Sequence, residues 1–398
     1  MPVDGPDDHR LRPERFVAGG EVMAHDGAGR VVFVRGAVPG DEVAATTIEQ
    51  RRSWRRAVVT DVLRPGPSRV EPPCPQRRLG CGGCDWQHVA VTAQLDAKVD
   101  IVRDALRRTG RLPDARVVAG TAVPPDAYRT TIRVVGDESG RPAYRVERSH
   151  DTIAAAGCLV AHPMLRDLLE RITVPAGVDV MLRVSAATGQ RAARWDGRLG
   201  DVVGLPSDVA VGPKAAITEE VSGHLLRVSN GSFFQSGPAA AELLVAAVGR
   251  AAPELADAHC VVDAYAGVGL FAVAAASPAS HVIIVESSRA AVADARINLA
   301  ERSATIVHSE FGRWRPDTHR VDVVVADPAR PGMAKPGTAV AAEIGAPVIV
   351  LVSCDPVSAA RDAALLVAHG YDHAATEVLD LFPHTHHVEC VTRFVRAD

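Results

Sequence analysis

Apolar positions fall into three regimes along the chain. From about Phe16 to Leu63 short apolar runs alternate with turns, and residues 31–34, 42–45 and 57–62 read as strands split by Gly-rich and Pro-Gly turns. About five such strands in fewer than 60 residues predict a small closed barrel of the oligonucleotide-binding type. Between Pro65 and about Glu220 the pattern is mixed. Leu95, Val99, Val102 and Leu106 recur at helical spacing, which predicts one amphipathic helix over 91–109, and short strands follow at 131–135 and 142–146. From about Gly223 onward apolar runs alternate with helical stretches, at 261–262, 282–285, 321–326 and 348–352. Continuous apolar strands joined by helical crossovers predict a parallel sheet buried on both faces. No internal repeat is evident.

Ligands of parallel sheets sit beyond the carboxyl ends of the strands, so the four following loops are where chemistry is expected. The first reads DAYAGVGLF over 263–271, with Gly267 and Gly269 permitting a tight turn and close ligand approach at a helix start. It lacks the three-glycine dinucleotide pattern. The second strand ends in Glu286, where an acid can accept hydrogen bonds from ribose hydroxyls. The third loop, DPARPG, opens with Asp327, a carboxylate made stiff by the proline after it. The fourth, VLVSCDP, puts Cys354 at the end of a buried strand and facing the ligand crevice, as a nucleophile candidate. Near the end, FPHTHHVE adds three histidines and Glu389, without a zinc-ligand spacing.

Composition changes this picture modestly. The chain has 398 residues, 47% of them hydrophobic and 23% charged, and a formal charge of -4. Two or three globular domains are expected, and nucleic-acid binding must come from a local patch. The segment 51–78 is such a patch, with eight arginines against Asp61 and Glu71 and with Trp54 among them. Lysine occurs only at positions 98, 214 and 335. The start MPVDGPDDHR is acidic and lacks an apolar stretch, so no signal peptide is expected. The uncharged run 264–285 is interrupted by Gly267, Gly269 and Pro278, which argues against a membrane span, and a cytoplasmic location is expected. A monomer is expected as well. Seven cysteines in such a chain point to metal ligands or nucleophiles. Cys74, Cys81 and Cys84 stand at x6 and x2 spacing, and Cys158 follows after 73 intervening residues. Four thiolates suit zinc or an iron–sulfur cluster, and spacing alone does not choose.

In this order, SFFQ (232–235), DAYAGVGLF, VESSRAAVADARINL, ADPARPG, VLVSCDP and FPHTHHVE resemble the RNA uracil-5-methyltransferase family. The segment 16–63 is similar to the TRAM domain that precedes many of its members. The resemblance covers nearly the whole chain. It implies a TRAM-like β-barrel over 1–64, a small α+β central domain over 65–222, and an α/β Rossmann-like S-adenosylmethionine-dependent methyltransferase domain over 223–398. The helix near 91–109 is expected against the catalytic domain. The resemblance further implies donor contacts from Gln235, Tyr265, Glu286 and Asp327 and a catalytic pair of Cys354 and Glu389. Glu310 stands where relatives often carry an amide near the adenine. Cys74, Cys81, Cys84 and Cys158 resemble the four ligands of a [4Fe–4S] cluster in the rRNA-modifying branch.

The chemistry fits these residue types. C5 of uracil is a weak nucleophile until a thiolate adds to C6 and makes the ring an enolate. After C5 has taken a methyl group, a base must remove the C5 proton so that sulfur can leave. Structured RNA is the expected partner, with rRNA favoured over tRNA, and the target base must leave its stack to react. Two other readings are a methyltransferase acting on an exocyclic amine or protein, which would not need Cys354, and a non-catalytic RNA-binding assembly factor.

Overall fold

A computed structural model describes residues 8–146, 149–317 and 320–397. The N-terminal unit is a curled six-stranded sheet in the order Asp8–Leu11, Glu42–Gln50, Trp54–Arg64, Val31–Arg35, Val22–His25, Arg15–Phe16. All neighbours are antiparallel except Val31–Arg35 and Trp54–Arg64. Period-two alternation puts Val22, Ala24, Val32, Val34, Val43 and Ala45 into one small core. This is the barrel-like domain that the alternating runs predict, with more strands than the apolar runs alone mark.

The arginine-rich segment 51–78 differs from its sequence-based reading. Arg51 pairs with Glu49, Arg55 with Asp26, Arg56 with Glu21 and Glu49, Arg64 with Glu42, Arg69 with Asp41 and Arg78 with Glu71. Trp54 packs its ring at 5.9 Å from Phe33 and lies under Arg56. The carboxylates come mostly from neighbouring strands of the barrel. Much of the excess charge is therefore neutralised within the domain.

Segment 65–222 contributes to three sheets, the smallest being the antiparallel pair Ala216–Val221 and His224–Ser229. Residues 131–211 build a six-stranded sheet in the order Thr152–Ala154, Pro142–Arg145, Thr131–Gly136, Asp179–Val184, Arg191–Trp195, Val209–Val211. Helix Pro163–Arg171 covers one face with Leu165, Leu168 and Leu169. Upstream of it, helix Val91–Arg108 and strand Val117–Ala122 join the large C-terminal sheet instead.

That sheet has eight strands, ordered Ala304–His308, His281–Glu286, Cys260–Ala264, Val323–Ala326, Val348–Ser353, Glu389–Arg396, Tyr371–Asp380, Val117–Ala122. The first five are parallel and Glu389–Arg396 runs against them. Alternate residues pack on opposite sides. Val261, Val323, Val325 and Val350 meet helix Pro238–Ala251, while Val262, Val324, Ile349 and Leu351 meet helices Val91–Arg108 and Pro356–Ala368. Two-sided burial is why these strands are continuous apolar runs. Among the described residues no helix is long and apolar enough to cross a membrane.

Helix Val91–Arg108 carries two polar residues into this interior. Lys98 and Asp380 are 0% and 2% exposed at their side chains and meet at 2.6 Å. Lys98 Nζ also donates to Phe382 O at 3.2 Å. Gln94 Oε1 accepts from His384 N at 2.7 Å, and its amide donates to Val89 O at 2.9 Å. Trp86 N donates to His384 O at 2.8 Å, and Trp86 Nε1 to Gly20 O at 3.0 Å. Barrel, cysteine-bearing loop and C-terminal loop are thus joined at one point.

Removing one member of a buried ion pair leaves the other desolvated and unpaired, at a cost of about 3–5 kcal/mol. Lys98→Ala is expected to lose about that much in urea unfolding. The double variant Lys98→Met/Asp380→Leu should recover most of it, because neither charge then remains buried.

Candidate active site

The ends of the parallel strands open into a cavity of about 1130 Å³. It is lined by Gln235, Tyr265, Gly267, Glu286, Asp327, Cys354 and Glu389, and on another wall by Cys74, Cys81, Cys84 and Cys158. Of the site residues expected from sequence, only Gly269 is absent from the lining. Its left-handed backbone, φ 88°, starts helix Leu270–Ala274, so its part is to turn the chain. Tyr265 also has positive φ, 60°, which is costly for an aromatic residue, and its ring rests 5.3 Å from that of Phe311. Glu286 accepts from Gly267 N at 2.9 Å and from Ser288 N at 2.6 Å, so the loop is fixed before any ligand arrives. Gln235 is buried beside the loop 229–232, whose carbonyls at Ser229 and Ser232 take hydrogen bonds of 2.6 and 2.9 Å from the buried Arg183. Glu310 lies outside the lining, exposed and paired with Arg313 at 3.0 Å.

Cys354 follows strand Val348–Ser353, and Glu389 begins the antiparallel strand beside it, where Ser353 pairs with Cys390. Register therefore brings together two residues far apart in sequence. Burial raises Glu389 well above the usual carboxylate range, and the neighbouring Asp327 adds to this. Asp327 opens on to the cavity but lies deep between its walls, and burial pushes it up to about 7. Burial, Glu389 and Asp327 together push the Cys354 thiol up to about 12, and the Arg330 guanidinium opposes them. Asp355 is occupied elsewhere. Its Oδ1 caps helix Pro356–Ala368, accepting from Val357 N at 3.1 Å and Ser358 N at 2.7 Å.

Sequence reasoning did not assign Arg330, although it lies in the ADPARPG motif. Its guanidinium is 3.2 Å from His387 Nε2. Burial and the adjacent cations lower His387 to about 4, so this ring is neutral and can accept from Arg330. His386 Nδ1 meets Asp85 Oδ2 at 2.6 Å, linking the residue after Cys84 to the C-terminal loop. Burial would raise Asp85, but its hydrogen bond to His386 holds it below the usual value.

The four cysteines are free thiols on one wall. Cys81 is raised by burial and by the nearness of Cys158 and Cys74, and Cys84, pushed up to about 12, by burial and by Cys158. Among the described residues no three His, Cys, Asp or Glu side chains stand close enough to hold a metal ion.

Buried acids with raised pKa bind protons in the folded chain that they release when it unfolds. Asp327, at about 7, and Asp263, pushed by burial to about 8, stabilise the fold least once the pH exceeds those values. The contribution of these two acids to stability should fall as pH rises from about 4 towards 8, while that of the buried His387 and His88, lowered to about 4, runs the other way below about 6.5. Asp327→Asn should flatten part of that decline, read as urea midpoints across the range.

No family model matches the sequence. An RNA methyltransferase of Streptomyces avermitilis is 34% identical over 94% of this chain and 94% of its own. The 23S rRNA (uracil(1939)-C(5))-methyltransferase RlmD of Halomonas elongata is 31% identical over 93% of this chain and 86% of its own. The crystal structure of Pyrococcus abyssi tRNA (uracil-54, C5)-methyltransferase with S-adenosyl-L-homocysteine superposes with a TM-score of 0.74, covering 97% of this chain and 100% of that one at 22% identity. With its loops, its barrel and these full-length relatives, the chain belongs to the RNA uracil-5-methyltransferase family.

Proposed function

We infer that the protein methylates C5 of a uridine in RNA, with S-adenosylmethionine as donor and Cys354 as covalent nucleophile. The observation that carries this reading is the nearness of Cys354, Glu389 and Asp327 on the lining of one cavity that also contains Gln235, Tyr265, Gly267 and Glu286. An amine or protein methyltransferase would have no use for a thiol there.

The roles follow from the groups. Glu286 and the Gly267 turn receive the polar end of the donor, and Tyr265 and Gln235 border it. A sulfonium donor supplies an electrophilic methyl, and its positive charge favours ionisation of the raised acids and thiol around it. Arg330 provides a fixed cation beside Cys354. The Cys354 thiolate bonds to C6 of the uracil, and the electron pair displaced from the C5–C6 bond forms the enolate. C5 then takes the methyl group as the sulfur–methyl bond of the donor breaks, leaving a neutral thioether. Glu389, as carboxylate, removes the C5 proton, the C5–C6 double bond re-forms, and the C6–sulfur bond breaks to return the thiolate. The rRNA relative favours large-subunit rRNA as substrate.

The cysteine wall is proposed to hold a [4Fe–4S] cluster. What supports this is the donor set: Cys81 lies near Cys158 and Cys74, and Cys84 near Cys158 and Cys81, so four thiols share one cavity wall, and four thiolates are the ligand set of such a cluster. Its part would be to brace the loop that carries Asp85 and Trp86.

Mapping 5-methyluridine in total RNA with and without the protein tests the function, and an unchanged map would refute it. Cys354→Ala should abolish methyl transfer and covalent trapping of 5-fluorouridine RNA. Glu389→Gln should still form the sulfur–C6 bond but release product slowly, so RNA-linked protein should accumulate on denaturing gels. Protein purified without oxygen should absorb near about 400 nm and contain about four iron atoms per chain. Cys158→Ala should lose both signals, and a colourless protein containing zinc would overturn the cluster.

A further inference from the structure

The central six-stranded sheet has one face on helix Pro163–Arg171 and the other on the cavity. Ile132, Val134, Val180, Leu182 and Ala193 point to the helix, so the alternating residues point to the cavity. In the register of the three middle strands Met181 lies directly opposite Arg133 on one side and Arg194 on the other. All three line the cavity. The result is a straight row of guanidinium, thioether, guanidinium across three strands, with the two arginines two strand spacings apart, or about 10 Å.

These arginines differ from those of the barrel. The Arg133 side chain is exposed and has no ion pair or hydrogen bond among the described residues. Among the described residues the Arg194 side chain meets only Asp196, at 3.9 Å, and that carboxylate is 99% exposed. An ion pair so open to solvent is worth little. The neighbouring Arg183, by contrast, is occupied by the carbonyls of Ser229 and Ser232. Across the same cavity Phe233 is 74% exposed at the rim. The cavity thus has a cationic floor with a soft apolar centre, facing an aromatic residue.

We propose that the Arg133–Met181–Arg194 row is a landing strip for the single-stranded RNA beside the target nucleotide, with two phosphodiesters on the arginines and a base face on Met181. This rests on the RNA-modifying function proposed above and adds to it the surface that carries the strand. Arginine suits the role because its planar fork matches phosphate oxygens. Methionine suits it because a flexible, polarisable side chain accepts any base face. Such contacts fix the position of the strand and do not read its sequence.

Phosphate contacts are sequence-independent, so a uridine-rich RNA hairpin is an adequate probe. Its affinity for the full chain is measured against salt concentration. The wild type should show a slope that Arg133→Gln/Arg194→Gln reduces by about 1.4, at about 0.7 per lost single-strand contact. Affinity near 0.1 M salt should fall by about tenfold or more. Arg133→Lys/Arg194→Lys should retain most of the slope, and S-adenosylhomocysteine binding should be unchanged in every variant, which reports an intact fold. Ultraviolet crosslinking of the wild-type complex should mark the peptide containing Met181. An unchanged slope in the glutamine variant, or crosslinks confined to the barrel, would overturn the proposal. A wild type that binds the hairpin through this row but leaves the 5-methyluridine map unaltered would overturn the enzymatic reading and leave the surface standing.

Discussion

The buried contact between Lys98 and Asp380 joins two parts of the chain 282 residues apart. A lysine with no solvent contact is costly unless its charge is met from several sides. Here Asp380 faces it, Phe382 O accepts from it, and the Trp86 ring lies 5.9 Å away. Asp380 also ends strand Tyr371–Asp380 and accepts from Phe382 N at 3.1 Å. The ion pair therefore fixes the direction in which the chain leaves the sheet. Glu389 lies at the far end of that same excursion, after His384 has been held by Gln94 and Trp86. The carboxylate of the site is aimed by a helix that precedes the catalytic segment by more than a hundred residues.

This docking has an electrostatic consequence. Asp327, Glu389 and Cys354 converge where solvent is scarce, and three anions could not coexist there. In the free protein burial favours the protonated form of each group, as the raised carboxyls and thiol indicate. Arg330 is the nearby cation, kept in place by a neutral His387. A cationic ligand entering this pocket would lower all three pKa values at once. In the proposed mechanism, binding of a positively charged donor and readiness of the thiol are then two sides of one equilibrium.

Much of the fold was legible because burial on both faces leaves a simple mark. The runs at 282–285 and 348–352 became central strands, and the loops after them became the cavity. Helix 91–109 was equally plain from Leu95, Val99, Val102 and Leu106. Strand Val117–Ala122 was not, since VVAGTA at a sheet edge is mostly exposed and has neither alternation nor a continuous apolar run. Lys98 was hidden for a different reason. On its helix it looks like a solvated charge, and only the partner supplied by Asp380 makes burial tolerable. The arginines of 51–78 misled in the opposite direction, because Glu21, Asp26, Asp41, Glu42 and Glu49 reach them only after strands pair. Cys354 could be picked from its place at a strand end, whereas Glu389 and Gln235 needed the family resemblance, being joined to the site by register and loop packing.

Charge is thus distributed by depth and not by sequence. A chain with net charge -4 that handles RNA has to keep its cations where the polyanion should go and cancel them elsewhere. The barrel does the cancelling, strand by strand. The cavity leaves Arg133 open and Arg194 loosely held, while burial raises its acids and so lessens the negative charge they present to phosphate. The same burial that raises Asp327 and Glu389 would therefore serve the approach of RNA as well as the proposed chemistry. A carboxylate pair exposed at that position would meet an incoming strand with two negative charges, and the arginines of the central sheet would have to overcome them.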